Sequence, residues 1–240
     1  MSKLEEGLLR LGLECPQSQI SALRTYINCV LEFNKTYNIM KADSEDTLAI
    51  NHVLDSLAAA EHLRALFKIC AEEERNGSAG PHEAGPGTGP SSSGAASGEI
   101  TVGDIGSGGG CPGIPLSVVF PEINFTLVER MEKRADFLER TIGAMGLGNV
   151  KVRCSAADSL PKESFNVAVF RAFHPFDKKI TRLLLSLVKE GGYLAAYKAR
   201  SEKIKEEMEA VSFLVPRYEK IPLTVPFLED HERNLVVIKK

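Results

Sequence analysis

A chain of 240 residues with 43% hydrophobic and 25% charged residues has room for one α/β domain of ordinary size, a real core and a small appendage. Its formal net charge of −3 excludes a bulk-basic nucleic-acid binder, so any RNA contact has to come from a local basic face. The opening residues carry acids and lack a signal-length apolar run. No later stretch approaches the ~20 apolar residues of a membrane span, which predicts a cytoplasmic protein.

Residues 1–71 read as a helical cap. After Pro16 and the possible cap Ser18, Ile20, Leu23, Ile27, Val30 and Leu31 recur at helical spacing. Asp46 then precedes a second apolar face of Leu48, Ile50, Val53, Leu54, Leu57 and Ala58, which continues to about Leu66. Residues 72–98 open on three glutamates and run on in Gly, Pro, Ser and Ala. Such a segment cannot bury apolar surface, and a disordered low-complexity insertion is expected there.

From Glu99 to Lys240 the texture alternates between strand and helix. The expected order is strand Ile100–Ile105, helix Ile114–Phe120, strand Asn124–Val128, helix Lys133–Met145, then strands Val150–Cys154 and Phe165–Phe170. Helix Lys178–Lys189 with a Gly191-Gly192 stop, strand Tyr193–Tyr197 and helix Glu202–Val211 follow. Two last strands, near Tyr218–Leu223 and Asn234–Ile238, have no helix between them. The alternation predicts an α/β, Rossmann-like fold: a mostly parallel seven-stranded sheet with an antiparallel edge and helices on both faces.

The first strand of that sheet runs into Asp104-Ile105-Gly106-Ser107-Gly108-Gly109-Gly110, where glycines let a ligand lie against bare backbone. Glu129 ends the second strand, placed to accept the ribose hydroxyls of an adenosine. A dinucleotide fold wants G-x-G-x-x-G, but the position of its third glycine holds Cys111. Asp104 would repel a pyrophosphate and could instead hold, through water, the cationic end of S-adenosylmethionine. The loop fits a methyl donor better than NAD.

Beyond the loop, the sequence resembles the bacterial glucose-inhibited division protein B family of 16S ribosomal RNA guanine-N7 methyltransferases. The family signature D-V-G-[TS]-G-x-G-x-P-G-I-P-L is matched by Asp104 through Leu116, with Pro112-Gly113-Ile114-Pro115 its distinguishing part. Thr126-Leu127-Val128-Glu129, Lys133-Arg134 and Phe137-Leu138 are similar to the second-strand motif. Arg171-Ala172-Phe173, Tyr37-Asn38, His52-Val53-Leu54-Asp55-Ser56 and the end Arg233–Lys239 match further family segments, so the likeness covers all but residues 72–98.

The resemblance implies a methyltransferase fold and transfer from S-adenosylmethionine to N7 of a guanine in the decoding-region loop, on 16S RNA or the small ribosomal subunit. It also implies cofactor contacts at Gly106, at Cys111 through its backbone, at Ala156 and Ala157, and at Arg171. With Asp104, Gly108 and Glu129 from the loop itself, these complete the expected cofactor site. The chain departs from the family at Ser155-Ala156-Ala157-Asp158, where R-A-E is usual, and at His174-Pro175, where small residues are usual.

No catalytic residue is expected. Guanine N7 carries an in-plane lone pair and loses no proton on methylation, so alignment suffices. The chain has neither an Asn-Pro-Pro-Tyr segment for exocyclic amines nor a Pro-Cys nucleophile. Cys15, Cys29, Cys70, Cys111 and Cys154 are scattered, which suits reduced, mostly buried thiols and no metal. Arg171 reads either as a fork for a carboxylate or phosphate or as an arginine paired with an acid. His52 and Asp55 read equally as core groups or substrate contacts. Lys133, Arg134, Lys178, Lys179, Arg182, Lys198, Arg200, Lys203 and Lys205 supply the local basic face, diluted by glutamates. A small-molecule or protein methyltransferase, and a non-enzymatic binding module that kept the pocket, are the competing readings.

Overall fold

The computed structural model describes residues 1–77 and 99–240. Helix α1 (Lys3–Arg10) starts at Ser2, whose hydroxyl accepts from the Glu5 amide while the Glu5 carboxylate accepts from the Ser2 amide. Helix α2 (Gln17–Asn34) begins directly after Pro16, so Ser18 lies inside it rather than at its cap. Ser44 caps a longer irregular helix made of α3 (Glu45–Leu48), a π segment (Ala49–Leu54) and α4 (Asp55–Leu57). Helix α5 (Ala60–Gly77) follows.

The last of these runs six residues past the expected boundary at Ala71. Glu73 pairs with Lys239 and Glu74 with Lys189 and Asn166, so these acids brace the helix on the sheet. The rest of the expected insertion, residues 78–98, lies outside the described residues.

The second half alternates as predicted: β1 (Thr101–Ile105), α6 (Gly113–Val119), β2 (Asn124–Glu129), α7 (Glu132–Met145), β3 (Val150–Cys154) and β4 (Phe165–Arg171). Then come α8 (Lys178–Leu187), β5 (Val188–Lys198), α9 (Ser201–Ala210), β6 (Glu219–Pro222) and β7 (Asn234–Lys239). The strand order is β3-β2-β1-β4-β5-β7-β6. Strands β3 to β5 are parallel, and β7 runs antiparallel between β5 and β6. This is the seven-stranded, mostly parallel Rossmann-like sheet with an antiparallel edge.

One boundary moves. Helix α8 stops at Leu187, and Val188 already pairs with Phe165 as the start of β5. The apolar run carries on through Val188 without a break in pattern, so periodicity alone could not place the change. Gly191, at φ +78°, sits where the β4–β5 register shifts, acting as a bulge rather than a helix stop.

Both faces of the sheet are covered. On one, Ile204, Met208, Leu184 and Leu187 pack against Phe170, Leu194 and Val236. On the other, Leu23, Tyr26, Ile27, Leu54, Leu63 and Phe67 share a single apolar cluster with Val102, Phe120, Phe125 and Leu235. The N-terminal helices therefore own no separate core. They complete a layer of the sandwich, and that places Asn51, His52 and Asp55 beside the carboxyl ends of the strands.

Candidate active site: two clefts with a common wall

Ligands of open α/β sheets bind at the carboxyl ends of the strands, and β1, β2 and β4 end around one cleft of about 380 Å³. Gly106, Glu129, Ala156 and Ala157 line it, with Arg130, Arg134, Asp158 and Lys179. After β1 the chain turns sharply, the amides of Gly106 and Ser107 both donating to the Val128 carbonyl. Gly106 has φ +74°, and a methyl group there would lie 2.4 Å from Cδ2 of Phe173. Only glycine fits the turn and the ring together.

Glu129 is buried. Its Oε2 accepts from the Gly108 amide and its Oε1 from the Met131 amide, both at 2.9 Å, which fixes the carboxylate at the rim of the turn. Each oxygen keeps a lone pair for a further donor such as a ribose hydroxyl.

Asp104, Gly108 and Cys111 lie behind the cleft rather than on its wall. Asp104 is fully buried; Oδ2 accepts from the Gly113 amide at 2.9 Å, while Oδ1 has no partner among the described residues. Burial pushes its pKa up to about 7. An orphaned buried carboxylate oxygen beneath a glycine turn fits a cationic ligand reached through water. Cys111 faces the helical layer instead. The Tyr26 hydroxyl donates to the Gly109 carbonyl at 2.8 Å and lies 3.1 Å from Cys111 Sγ. Burial raises the thiol's pKa, so it is held as a neutral thiol and not as a nucleophile.

Arg171, at the end of β4, belongs to a second cleft of about 570 Å³. Its Nη1 meets Asp55 Oδ2 at 2.7 Å and the Asn51 carbonyl at 3.2 Å, and its Nη2 lies 2.9 Å from His52 Nδ1. Arg233 Nε takes the other oxygen, Asp55 Oδ1, at 2.8 Å. One buried carboxylate thus holds two guanidinium groups, the arrangement in which an unpaired charge would be costly.

Burial opposes the charge on Arg171, but the Asp55 carboxylate beside it acts the other way, and its pKa stands above the ordinary arginine value. Burial first, and then Arg171, lower His52 to about 4, so its imidazole is neutral near pH 7 and accepts from the arginine. Of the two readings open for Arg171, the described residues supply the acid-paired one.

Asn51, Tyr197 and Asn234 also line the second cleft, and sequence reasoning gave no sign of them. They come from the π segment, β5 and β7, and no local motif joins them. The expected basic face is partly neutralised: Lys198 pairs with Glu207, Lys203 with Glu206 and Lys205 with Glu209. Lys133 lies over the Tyr37 ring. No group of three or more metal-ligating side chains occurs among the described residues, and no described helix is long and apolar enough to cross a membrane.

The sheet order and the glycine turn, with Asp104 buried behind it and Glu129 at the rim of the cleft, are those of a Rossmann-like S-adenosylmethionine-dependent methyltransferase. Comparison with known proteins narrows the class. The model of the rRNA small subunit methyltransferase G family (GidB) matches residues 92–236, and the chain belongs to that family.

Ribosomal RNA small subunit methyltransferase G of Treponema denticola is 33% identical over 251 residues, covering 99% of this chain and 93% of the relative. The protein of that name from Chromobacterium violaceum is 29% identical, covering 98% and 95%. Among solved structures, a SAM-dependent methyltransferase from Aquifex aeolicus superposes with a TM-score of 0.46 at 17% identity, covering 58% of this chain and 81% of that one.

Proposed function

We propose that this chain transfers a methyl group from S-adenosylmethionine to N7 of a guanine in the decoding-region loop of 16S ribosomal RNA, in the cytoplasm, on the RNA or the small ribosomal subunit. The observation that carries the reading is the pair of clefts with a common wall of Ala172, Phe173 and His174 at the carboxyl edge of a family sheet. One sets small residues and the Glu129 and Asp158 carboxylates, which suit an adenosine, beside the cations Arg130, Arg134 and Lys179. The other is larger, aromatic and polar, and suits a nucleotide.

In this reading Gly106, Ala156 and Ala157 shape the adenosine side, with Gly108 and Cys111 holding the turn through their backbone. Glu129 takes the ribose and Asp104 the cationic end through water. The cofactor supplies an electrophilic methyl group. N7 attacks with its own lone pair, so the protein has no proton to remove and works by alignment. The methylated ring carries positive charge. Arg171 shares the Asp55 carboxylate with Arg233, which holds its guanidinium in place and offsets part of the positive charge near the product. Arg171 then orients the nucleotide or the cofactor carboxylate and moves no proton.

The test is mapping of N7-methylguanine in small-subunit RNA after incubation of unmodified 30S particles with the protein and cofactor. A single modified guanine in the decoding-region loop is the expected result. Cofactor binding with no transfer to RNA would favour a binding module, and transfer to small molecules alone a different substrate class.

A further inference from the structure

We propose that Phe173 is the platform on which the target base stacks, and that it sets the base over the junction of the two clefts; this rests on the functional reading above. The residue lies on the wall common to both clefts, at the carboxyl end of β4. Ala172 adopts φ +52°, a left-handed conformation rare for a residue with a Cβ. This turn lays the Phe173 ring against Gly106, where an added methyl would come within 2.4 Å of it.

A base on that ring would therefore sit beside the glycine turn that holds the methyl donor. The other phenyl and phenol rings of the second cleft do not offer this. Phe170 and Tyr197, which also line the second cleft, are 1% and 7% exposed, and the Tyr197 hydroxyl is spent on the Ser56 carbonyl. Phe173 is half-buried, and its ring is braced edge-wise by Phe170 at 6.3 Å and His174 at 4.9 Å between centroids.

A nucleobase taken out of its stack needs an apolar face to replace the one it leaves, and aromatic side chains are the usual substitute. The charged groups of the second cleft leave that task undone. Arg171 and Arg233 are tied to Asp55, and Lys198 to Glu207. They can meet the polar edge of a base or a phosphate, whereas the flat face falls to Phe173.

The test compares Phe173→Ala, Phe173→Leu and Phe173→Tyr in single-turnover methylation of 30S particles, with calorimetric binding of S-adenosylmethionine alongside. Removing a stacking ring should slow transfer at subsaturating 30S by roughly 5- to 150-fold in the Ala and Leu variants. The Tyr variant should recover most of the wild-type rate, and cofactor affinity should fall by much less than transfer in the Ala and Leu variants.

A Leu variant as active as wild type would reduce Phe173 to an apolar wall and overturn the proposal. So would a loss of cofactor affinity as large as the loss of transfer, which would place the ring in the cofactor pocket alone. A wild-type protein that makes no N7-methylguanine at all would sink the functional reading, and the stacking role with it. Modification by wild type and by the Ala variant alike would sink only the latter.

Discussion

The two clefts differ in how they are built. The cleft at the glycine turn, proposed above for the cofactor, is built from residues at the ends of neighbouring strands: Gly106 after β1, Glu129 at the end of β2, Ala156 and Ala157 after β3. The second cleft is made of side chains that meet across the whole chain, from His52 and Asp55 in the helical layer to Arg171 on β4 and Arg233 before β7. The first depends on a turn that only glycine can make, and the second on a charge network that only the folded layers can close. Substitutions should therefore separate the two, with cofactor binding failing at one and stability and transfer failing at the other.

The sharpest separation is expected at Gly106. Gly106→Val places a β-branched residue at φ +74° and drives its Cβ into the Phe173 ring. Calorimetric binding of S-adenosylmethionine should vanish while thermal unfolding remains cooperative. Binding at wild-type affinity would show that the ligand does not use this turn.

Asp55→Ala should act in the opposite sense. It leaves two guanidinium groups beside an empty position, and breaking such a buried pair costs about 3–5 kcal/mol. For a chain of this length that lowers Tm on the order of 10 °C. Transfer to 30S particles should fall, with the cofactor cleft still able to bind. A Tm unchanged within about a degree would mean that solvent relieves the arginines and the network is not closed.

Arg171→Lys is the milder cut at the same place. It keeps the charge but loses the planar fork that reaches Asp55, Asn51 and His52 together. The expected cost is about 1.5–3 kcal/mol, the value of one charge-assisted hydrogen bond, and a slower transfer. A lysine variant equal to wild type in stability, transfer and cofactor affinity would leave Arg171 without the orienting role.

The difference in construction also explains what could be read from the chain. Strand order, the glycine turn and Glu129 follow from alternation and short-range motif, since residues only about 20 positions apart meet at adjacent strand ends. Of the expected cofactor residues, Gly106, Glu129, Ala156 and Ala157 come together on the cleft wall.

Arg171 stood out by its place at the end of β4, but its partners could not be read. Asp55 is 116 positions away, and nothing in a local pattern says which acid a given arginine will meet. The same limit hid the end of α5, where Glu73 and Glu74 look like the start of a polar linker until Lys239 and Lys189 are brought beneath them. It hid Phe173 too, whose proximity to Gly106 depends on the left-handed turn at Ala172.

The effect most discriminating between the clefts is one of pH. Asp104 and His52 are displaced in opposite senses, to about 7 and about 4. Asp104 in the free protein holds a proton that the unfolded chain has lost. Its contribution to stability is therefore present below about pH 4 and lost as pH rises to about 7. His52 does the reverse, with stability present above about pH 6.5 and lost as pH falls toward 4.

Of the two, cofactor binding should follow Asp104 and not His52. If its carboxylate meets the ammonium through water, affinity rises as pH climbs through about 7, then falls as the ligand's α-amino group deprotonates near 7.7–8.0. Asp104→Asn should erase the acid limb and leave the alkaline one. The rate of transfer at saturating cofactor and 30S should stay flat between about pH 6 and 8, because N7 attack releases no proton. Calorimetry across that range, set against single-turnover rates, separates the two quantities. A flat binding profile would remove Asp104 from contact with the cationic end, and a saturated rate that follows one ionisation would require a base that the second cleft has not been assigned.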